Sequence, residues 1–98
     1  ILMNVYKDGH DCIGFHMDKE KDWVENTGFA TLSVGAERDF LLRVNETKQT
    51  TSILHTNGSV IYCPYPMNHT HQHAIPKRLK IKDWRISLTF REIISKIN

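Results

Sequence analysis

The sequence predicts an all-β fold, a two-sheet antiparallel sandwich or barrel, and three observations predict it. Apolar and polar residues alternate with period two through most readable segments, the spacing at which successive side chains of a strand face opposite ways. Turn signals punctuate these segments roughly every 8–12 residues, the rhythm of sandwiches and barrels. Only one segment, near the C-terminus, has helical spacing, so no alternation of strand and helix points to a parallel sheet. Ninety-eight residues form one domain, and a chain of this length hides only about 60–65% of its unfolded surface, so the core is modest.

Residues 2–6 read as a first strand, closed by the turn signal Lys7-Asp8-Gly9, and residues 12–16 resume an extended path. Residues 29–34 carry Thr, Val and aromatic character and stop at Gly35; residues 38–44 come next, with Phe40 and Leu42 on one face and Leu41 on the other. The polar stretch 45–49 is a hairpin loop. Residues 50–54 are expected to pair with a strand at 59–62 through Asn57-Gly58, the strongest short-range turn signal in the chain. Pro64 and Pro66 break that second strand. Residues 71–75 are extended, 84–90 alternate cleanly, and 92–97 read as barely two turns of helix. There are no repeats and no internal boundary.

Forty per cent hydrophobic and 24% charged residues are ordinary globular values and exclude a disordered tail. No apolar run approaches the roughly 20 residues of a spanning helix, and Ile1-Leu2-Met3 meets Asn4 at once, so no membrane span or signal-peptide core is read. The N-x-S/T sequons at Asn45, Asn57 and Asn68 are therefore taken as coincidental. Two cysteines, Cys12 and Cys63, make no disulfide framework, and an intracellular, reducing location (cytoplasmic or nuclear) is expected. A net charge of +2 is too weak to name a polyanionic partner by itself. The run Lys77-Arg78-Leu79-Lys80-Ile81-Lys82 is more basic; a strand edge or loop blunted by Lys accounts for it, with phosphate contact as the alternative.

Histidine is the compositional outlier: six in all, with His69, His71 and His73 inside five residues. In an extended segment His16 and Asp18, two apart, project to one side and can converge on one ion. A third ligand from a distant strand completes the two-histidine, one-carboxylate face that suits non-haem Fe(II) oxygenases; His73, ahead of Ala74-Ile75-Pro76, is the choice. Against this stand an H-x-D arising by chance and a zinc site built from His69, His71 and His73 on one strand face, which would need a bulge to wrap one ion. A second row changes the balance. Arg85, Ser87, Thr89 and Arg91 share one face of the last strand, and two guanidiniums with two hydroxyls suit a dicarboxylate, which arginine meets through paired hydrogen bonds. Asn4 and Tyr6, also two apart, add polar groups from another strand.

These residues resemble a family. Asn4-Val5-Tyr6 followed by His16-Met17-Asp18 is similar to the N-x-Y…H-x-D block of AlkB-like Fe(II)/2-oxoglutarate dioxygenases. Ser33-Val34-Gly35-Ala36-Glu37-Arg38-Asp39-Phe40 looks like its S-x-G-x-x-R-x-F segment, Asn57-Gly58-Ser59 its H-G-S/D turn, His73-Ala74-Ile75-Pro76 its distal histidine, and Arg85-Ile86-Ser87-Leu88-Thr89-Phe90-Arg91 its closing R-x-N-L-T-F-R strand. Five motifs run in family order, with 57 residues from His16 to His73, a spacing typical of the family. Ser87 stands where Asn is usual, and Gln72 replaces an aromatic or bulky residue.

The resemblance implies a double-stranded β-helix (jelly roll) with the metal in its mouth. His16, Asp18 and His73 would ligate Fe(II). Arg85, helped by Tyr6, would hold the far carboxylate of 2-oxoglutarate; Arg91 and Asn4 would hold its chelating end; Ser87 and Thr89 would line the pocket. Glu20 sits where the family places an acidic residue near the substrate base. The implied activity is oxidative demethylation of N-alkylated nucleobases such as 1-methyladenine or 3-methylcytosine, with 2-oxoglutarate and O2 as co-substrates and the target base out of its stack. The partners expected are alkylated DNA or RNA and 2-oxoglutarate, with no membrane and a monomeric state. The family's nucleotide-recognition lid lies N-terminal to the N-x-Y strand, so residues 1–98 are expected to be a catalytic core belonging to a longer domain. Two other readings stand beside this one. A 2-oxoglutarate dioxygenase of protein side chains would lack the nucleotide lid; a nucleic-acid-binding pseudoenzyme would bind no Fe(II).

Overall fold

Two antiparallel four-stranded sheets pack face to face, and the groups they place between them decide the rest of the molecule. The computed structural model describes residues 1–18 and 26–92. Along the chain run β1 (Leu2–Tyr6), β2 (Ile13–His16), β3 (Phe29–Gly35), β4 (Arg38–Val44), β5 (Thr50–His55), β6 (Val60–Cys63), α1 (Tyr65–Thr70), β7 (His71–Ile75) and β8 (Arg85–Arg91). One sheet has the order β1-β8-β3-β6 and the other β2-β7-β4-β5. This is the expected all-β, jelly-roll-like core. Glu20, Trp23 and the helix expected over 92–97, apart from Glu92 itself, lie outside the described residues.

The chain changes sheets where the sequence suggested a hairpin. Asn57-Gly58 does not join two paired strands: β5 pairs back with β4, and β6 pairs with β3 in the other sheet. The turn is a crossover tied to β3 by Gly58 N–H donating to Ser33 O at 2.7 Å, Ser33 N–H to Ser59 O at 3.0 Å and Gly35 N–H to Asn57 Oδ1 at 2.9 Å. Gly58 has φ +81°, so the turn chemistry was legible although its partner was not. The second departure is α1. Pro64 and Pro66 end β6 as expected, yet they also open a helix, Pro64 as extended N-cap and Pro66 in the first turn, where a missing N–H costs nothing.

The hydrophobic cluster is small: Tyr6, Phe29, Phe40, Cys63 and Ile75 are buried, with Ile13, Leu42 and Ile61 packed against them. Burial pushes the Cys63 thiol up to about 11, whereas Cys12 is exposed. Around this cluster the interior is polar. On β8 the inward residues are Arg85, Ser87 and Thr89, all buried, while Phe90 faces outward. The outer face of the same sheet also exposes Met3, Val5, Val60 and Tyr62. Alternation was read correctly, but the inward face is the hydrophilic one.

Buried arginines hold the loops. Arg38, 1% exposed, does not pair with its neighbour Asp39; it donates to the backbone oxygens of Asp8 (3.2 Å), Asp11 (2.8 Å) and Pro76 (2.8 Å). Asp39 instead meets Arg78 Nε at 2.7 Å. Arg43 lies 3.9 Å over the Phe15 ring and donates to Gln72 Oε1 at 2.7 Å, bracing β2 against β4 and β7. No described helix is long and apolar enough to cross a membrane.

Candidate functional site

His16 and His73 meet because β2 and β7 pair antiparallel with these two residues opposite each other, which brings side chains of one face within about 5.5 Å at Cβ. The register carries a bulge: Ile13 faces Ile75 and His16 faces His73, so β2 has one residue more than β7 over that span. Ile13 and His16, three apart, would otherwise point opposite ways; the extra residue turns both inward. The two imidazole rings lie 4.3 Å apart. Asp18, just past β2, sets Oδ1 3.4 Å from His16 Nε2 and 3.3 Å from His73 Nε2. The ligating atoms of His16, Asp18 and His73 all lie within 4.8 Å of one another, the one such group among the described residues. His69 and His71 are not in it: His69 packs its ring on Tyr65, and His71 Nδ1 lies 2.7 Å from Thr70 Oγ1.

Each member is oriented from behind. His16 Nδ1 is 2.8 Å from Gly14 O; a carbonyl only accepts, so Nδ1 carries a proton, and Nε2 is the nitrogen turned to Asp18 that would offer its lone pair to a metal. His73 is stacked on Phe40 (centroids 5.4 Å, planes 11° apart) and tilted against Phe29. Asp18 Oδ2 accepts from Arg91 Nη2 at 2.8 Å, leaving Oδ1 toward the imidazoles. The Asp18 backbone is gripped by the buried Asn68 of α1, whose Oδ1 accepts the Asp18 N–H (3.1 Å) and whose Nδ2 donates to the Asp18 carbonyl (3.0 Å). Burial raises the Asp18 carboxyl, but the two imidazoles and the Arg91 charge outweigh it and hold the group well below the usual carboxylate range. The hydrogen bond to Asp18 raises His16 above the ordinary imidazole value, against burial. Two imidazole nitrogens, deprotonated on binding, and one anionic oxygen make a donor set that fits a divalent transition metal.

This group borders a cavity of about 660 Å³. Asn4, Tyr6, Arg85, Ser87, Thr89 and Arg91 line the same cavity. Cross-strand register assembles them: Asn4 stands opposite Ser87 and Tyr6 opposite Arg85. Arg85 is 1% exposed; its Nε donates to Ser33 Oγ at 2.8 Å and its Nη2 lies 2.9 Å from His55 Nδ1. Nη1 is buried without a hydrogen bond of good geometry, with the Tyr6 hydroxyl as the neighbouring polar group. A buried cation with an unsatisfied donor is costly unless something anionic meets it, so the pocket fits a carboxylate there. Burial lowers Arg85 below its ordinary value, opposed by Tyr6, and raises the Tyr6 hydroxyl above its own, opposed by Arg85.

Asn68, His55 and Phe40 are the residues of this site that sequence reasoning passed over as such. Asn68 sits in a sequon, Phe40 falls on a strand face and in the S-x-G-x-x-R-x-F segment without a role, and His55 lies one residue past the strand expected over 50–54.

Comparison with known proteins agrees with the geometry. The chain is 33% identical over 102 residues to the DNA oxidative demethylase ALKBH2 of Bos taurus, covering 96% of this chain and 37% of that protein. It is 28% identical over 108 residues to the alpha-ketoglutarate-dependent dioxygenase alkB homolog 3 of Rattus norvegicus, across 95% of this chain and 35% of that one. It also matches 5% of an RNA-directed RNA polymerase of Lolium latent virus, at 29% identity over 82 residues. The chain thus spans well under half of the curated relatives it matches. Residues 1–91 match the 2OG-Fe(II) oxygenase superfamily, and the chain belongs to that family.

Proposed function

We propose that this chain is the catalytic core of an Fe(II)- and 2-oxoglutarate-dependent oxidative demethylase acting on N-alkylated bases, such as 1-methyladenine and 3-methylcytosine, in DNA or RNA. The observation that carries the reading is one cavity bordered by both His16-Asp18-His73 and the buried, incompletely bonded Arg85. The relatives named as DNA oxidative demethylases support the nucleic-acid substrate. An intracellular location goes with it, and both cysteines are free.

In this reading His16 Nε2, His73 Nε2 and Asp18 Oδ1 hold the metal, and Arg85 with Tyr6 holds the far carboxylate of 2-oxoglutarate. Arg91 does two jobs: it keeps Asp18 Oδ2 occupied, so that the carboxylate binds through one oxygen, and it offers charge to the chelating end of the co-substrate beside Asn4. Bound Fe(II) and 2-oxoglutarate supply the oxidation by O2, with succinate and CO2 as by-products and the hydroxylated methyl group leaving as formaldehyde. The chain's part is a fixed ligand face of two imidazoles and a carboxylate, and a pocket whose apolar wall of Phe29, Phe40 and Ile75 limits water around the metal. By the resemblance, Glu20 would act near the substrate base.

The test is mass spectrometry of a short oligonucleotide carrying 1-methyladenine or 3-methylcytosine, incubated with protein, Fe(II), ascorbate and 2-oxoglutarate. Loss of one CH2 per lesion, absent with His16→Ala, is expected. Succinate without demethylation would move the substrate to another class, such as protein side chains. Neither product, with no Fe(II) bound, would leave a binding module.

A further inference from the structure

His55 neither holds the metal nor touches the co-substrate in the proposed function, yet its side chain is completely buried, at 0% exposure. It ends β5, in the sheet that faces the one carrying Arg85, and its Nδ1 lies 2.9 Å from Arg85 Nη2. A guanidinium nitrogen only donates, so Nδ1 must offer its lone pair and Nε2 carries the proton. Ser33 on β3 takes the Nε hydrogen at 2.8 Å. Two of the three guanidinium nitrogens are thus held by protein from two strands, and Nη1 is the one left without a hydrogen bond of good geometry at the cavity that Arg85 lines.

We propose that His55 is a positioning residue for the co-substrate clamp: by accepting from Arg85 Nη2 across the sandwich, it fixes the guanidinium with Nη1 toward the cavity and so sets the affinity for the far carboxylate of 2-oxoglutarate. The proposal rests on the assignment of Arg85 to that carboxylate. It gives a role to a buried titratable group that an aliphatic side chain would otherwise replace at lower desolvation cost.

A positioning role of this kind has a pH signature. Burial first, and the Arg85 charge second, hold His55 below the ordinary imidazole value, while the backbone of Ser59 and Thr31 opposes the shift; Nε2 itself is buried without a hydrogen bond of good geometry. From β4, Arg38 stands opposite in the strand register and the Phe40 ring lies edge-on at 6.1 Å. Protonation would remove the Nδ1 lone pair and set cation against cation. Co-substrate affinity therefore falls on acidification through a midpoint below 6.5, the ordinary imidazole value.

The experiment is calorimetric titration of 2-oxoglutarate into the Mn(II)-loaded chain without O2, between pH 5.5 and 8, for the unmutated protein, His55→Leu, His55→Gln and Arg85→Ala. His55→Leu is expected to bind 2-oxoglutarate about tenfold or more weakly, the loss of a hydrogen bond to a charged group, with Mn(II) affinity unchanged. His55→Gln, whose side-chain carbonyl can accept from Nη2 but does not titrate, is expected to recover most of the affinity and to lose the acid-side fall. If His55→Leu does not fold by circular dichroism, the glutamine variant decides alone. Its retaining the acid-side fall, or the leucine variant binding like the unmutated protein, would overturn the proposal. Arg85→Ala separates the two levels: normal co-substrate binding in that variant would refute the clamp itself, whereas its loss alongside a normal His55→Leu would refute only the role of His55.

Discussion

Asn68 is bonded to Asp18 at both ends of one peptide residue, N–H and C=O, from fifty positions away. Five residues after Asn68 the chain delivers His73, so one amide fixes two of the three proposed ligands relative to each other. An alanine there leaves the Asp18 N–H and C=O without these partners and the carboxylate held from behind by Arg91 alone. Outer partners of this kind typically change metal affinity by about 10–100-fold. Asn68→Ala is therefore expected to weaken Mn(II) or Fe(II) binding by about that factor while the far-UV spectrum stays β-rich. Asn68→Gln would report whether the reach, rather than the amide, is what matters. Unchanged metal affinity in Asn68→Ala would mean that Arg91 alone orients Asp18.

At the scale of elements, β8 carries the design. Its register with β1 sets Tyr6 against Arg85, and its register with β3 sets Gly35 against Arg85. Gly35 has φ +104°, and a Cβ there would lie 2.5 Å from the Trp84 carbonyl oxygen and 2.9 Å from its ring. Gly35→Ala must therefore displace Trp84, the residue joined to Arg85, in addition to straining its own backbone by about 1–3 kcal/mol. The expected result is weaker 2-oxoglutarate binding with metal affinity nearly intact, measured by separate titrations; equal loss of both would mean that the whole sheet has shifted. This strand also marks what the sequence could and could not say. The period of β1, β4, β7 and β8 was legible because alternation is local, and so were Arg85, Ser87, Thr89 and Arg91 as one row. Asn57-Gly58 was legible as a turn but not as a sheet crossover, because turn chemistry fixes backbone angles and not which edge the next strand finds. The short helix α1 was hidden by its prolines, which forbid a helix interior yet favour its start. His16, Asp18 and His73 could be grouped from types and spacing, whereas Asn68 and His55 act through contacts across thirty to fifty residues that no periodicity encodes.

Across the molecule, the described residues place few apolar side chains at its centre and many polar ones. Five buried hydrophobics make the central cluster, while Arg85, Ser87, Thr89 and His55 are buried around the cavity. A domain of this size has a total stability of about 5–15 kcal/mol, and here part of the interior is shaped for ligands rather than for itself. Arg85 Nη1 has no protein acceptor of good geometry, and two imidazoles face one carboxylate oxygen. Both are arrangements that a divalent cation and a dicarboxylate would complete. Anything that binds the folded chain and not the unfolded one adds stability by mass action, about 2.7 kcal/mol at one hundred times its dissociation constant. For a domain near 100 residues each kcal/mol moves the midpoint by roughly 4–8 °C. Mn(II) at one hundred times its dissociation constant is therefore expected to raise Tm by about 10–20 °C in a calorimetric scan, reversibly with a chelator, and 2-oxoglutarate to add a further rise. His16→Ala should lose most of the metal-dependent rise, and Arg85→Ala only the further rise on adding 2-oxoglutarate. A Tm indifferent to both ligands would mean that the polar interior is complete without them, and the assignment of this cavity to metal and co-substrate would fall.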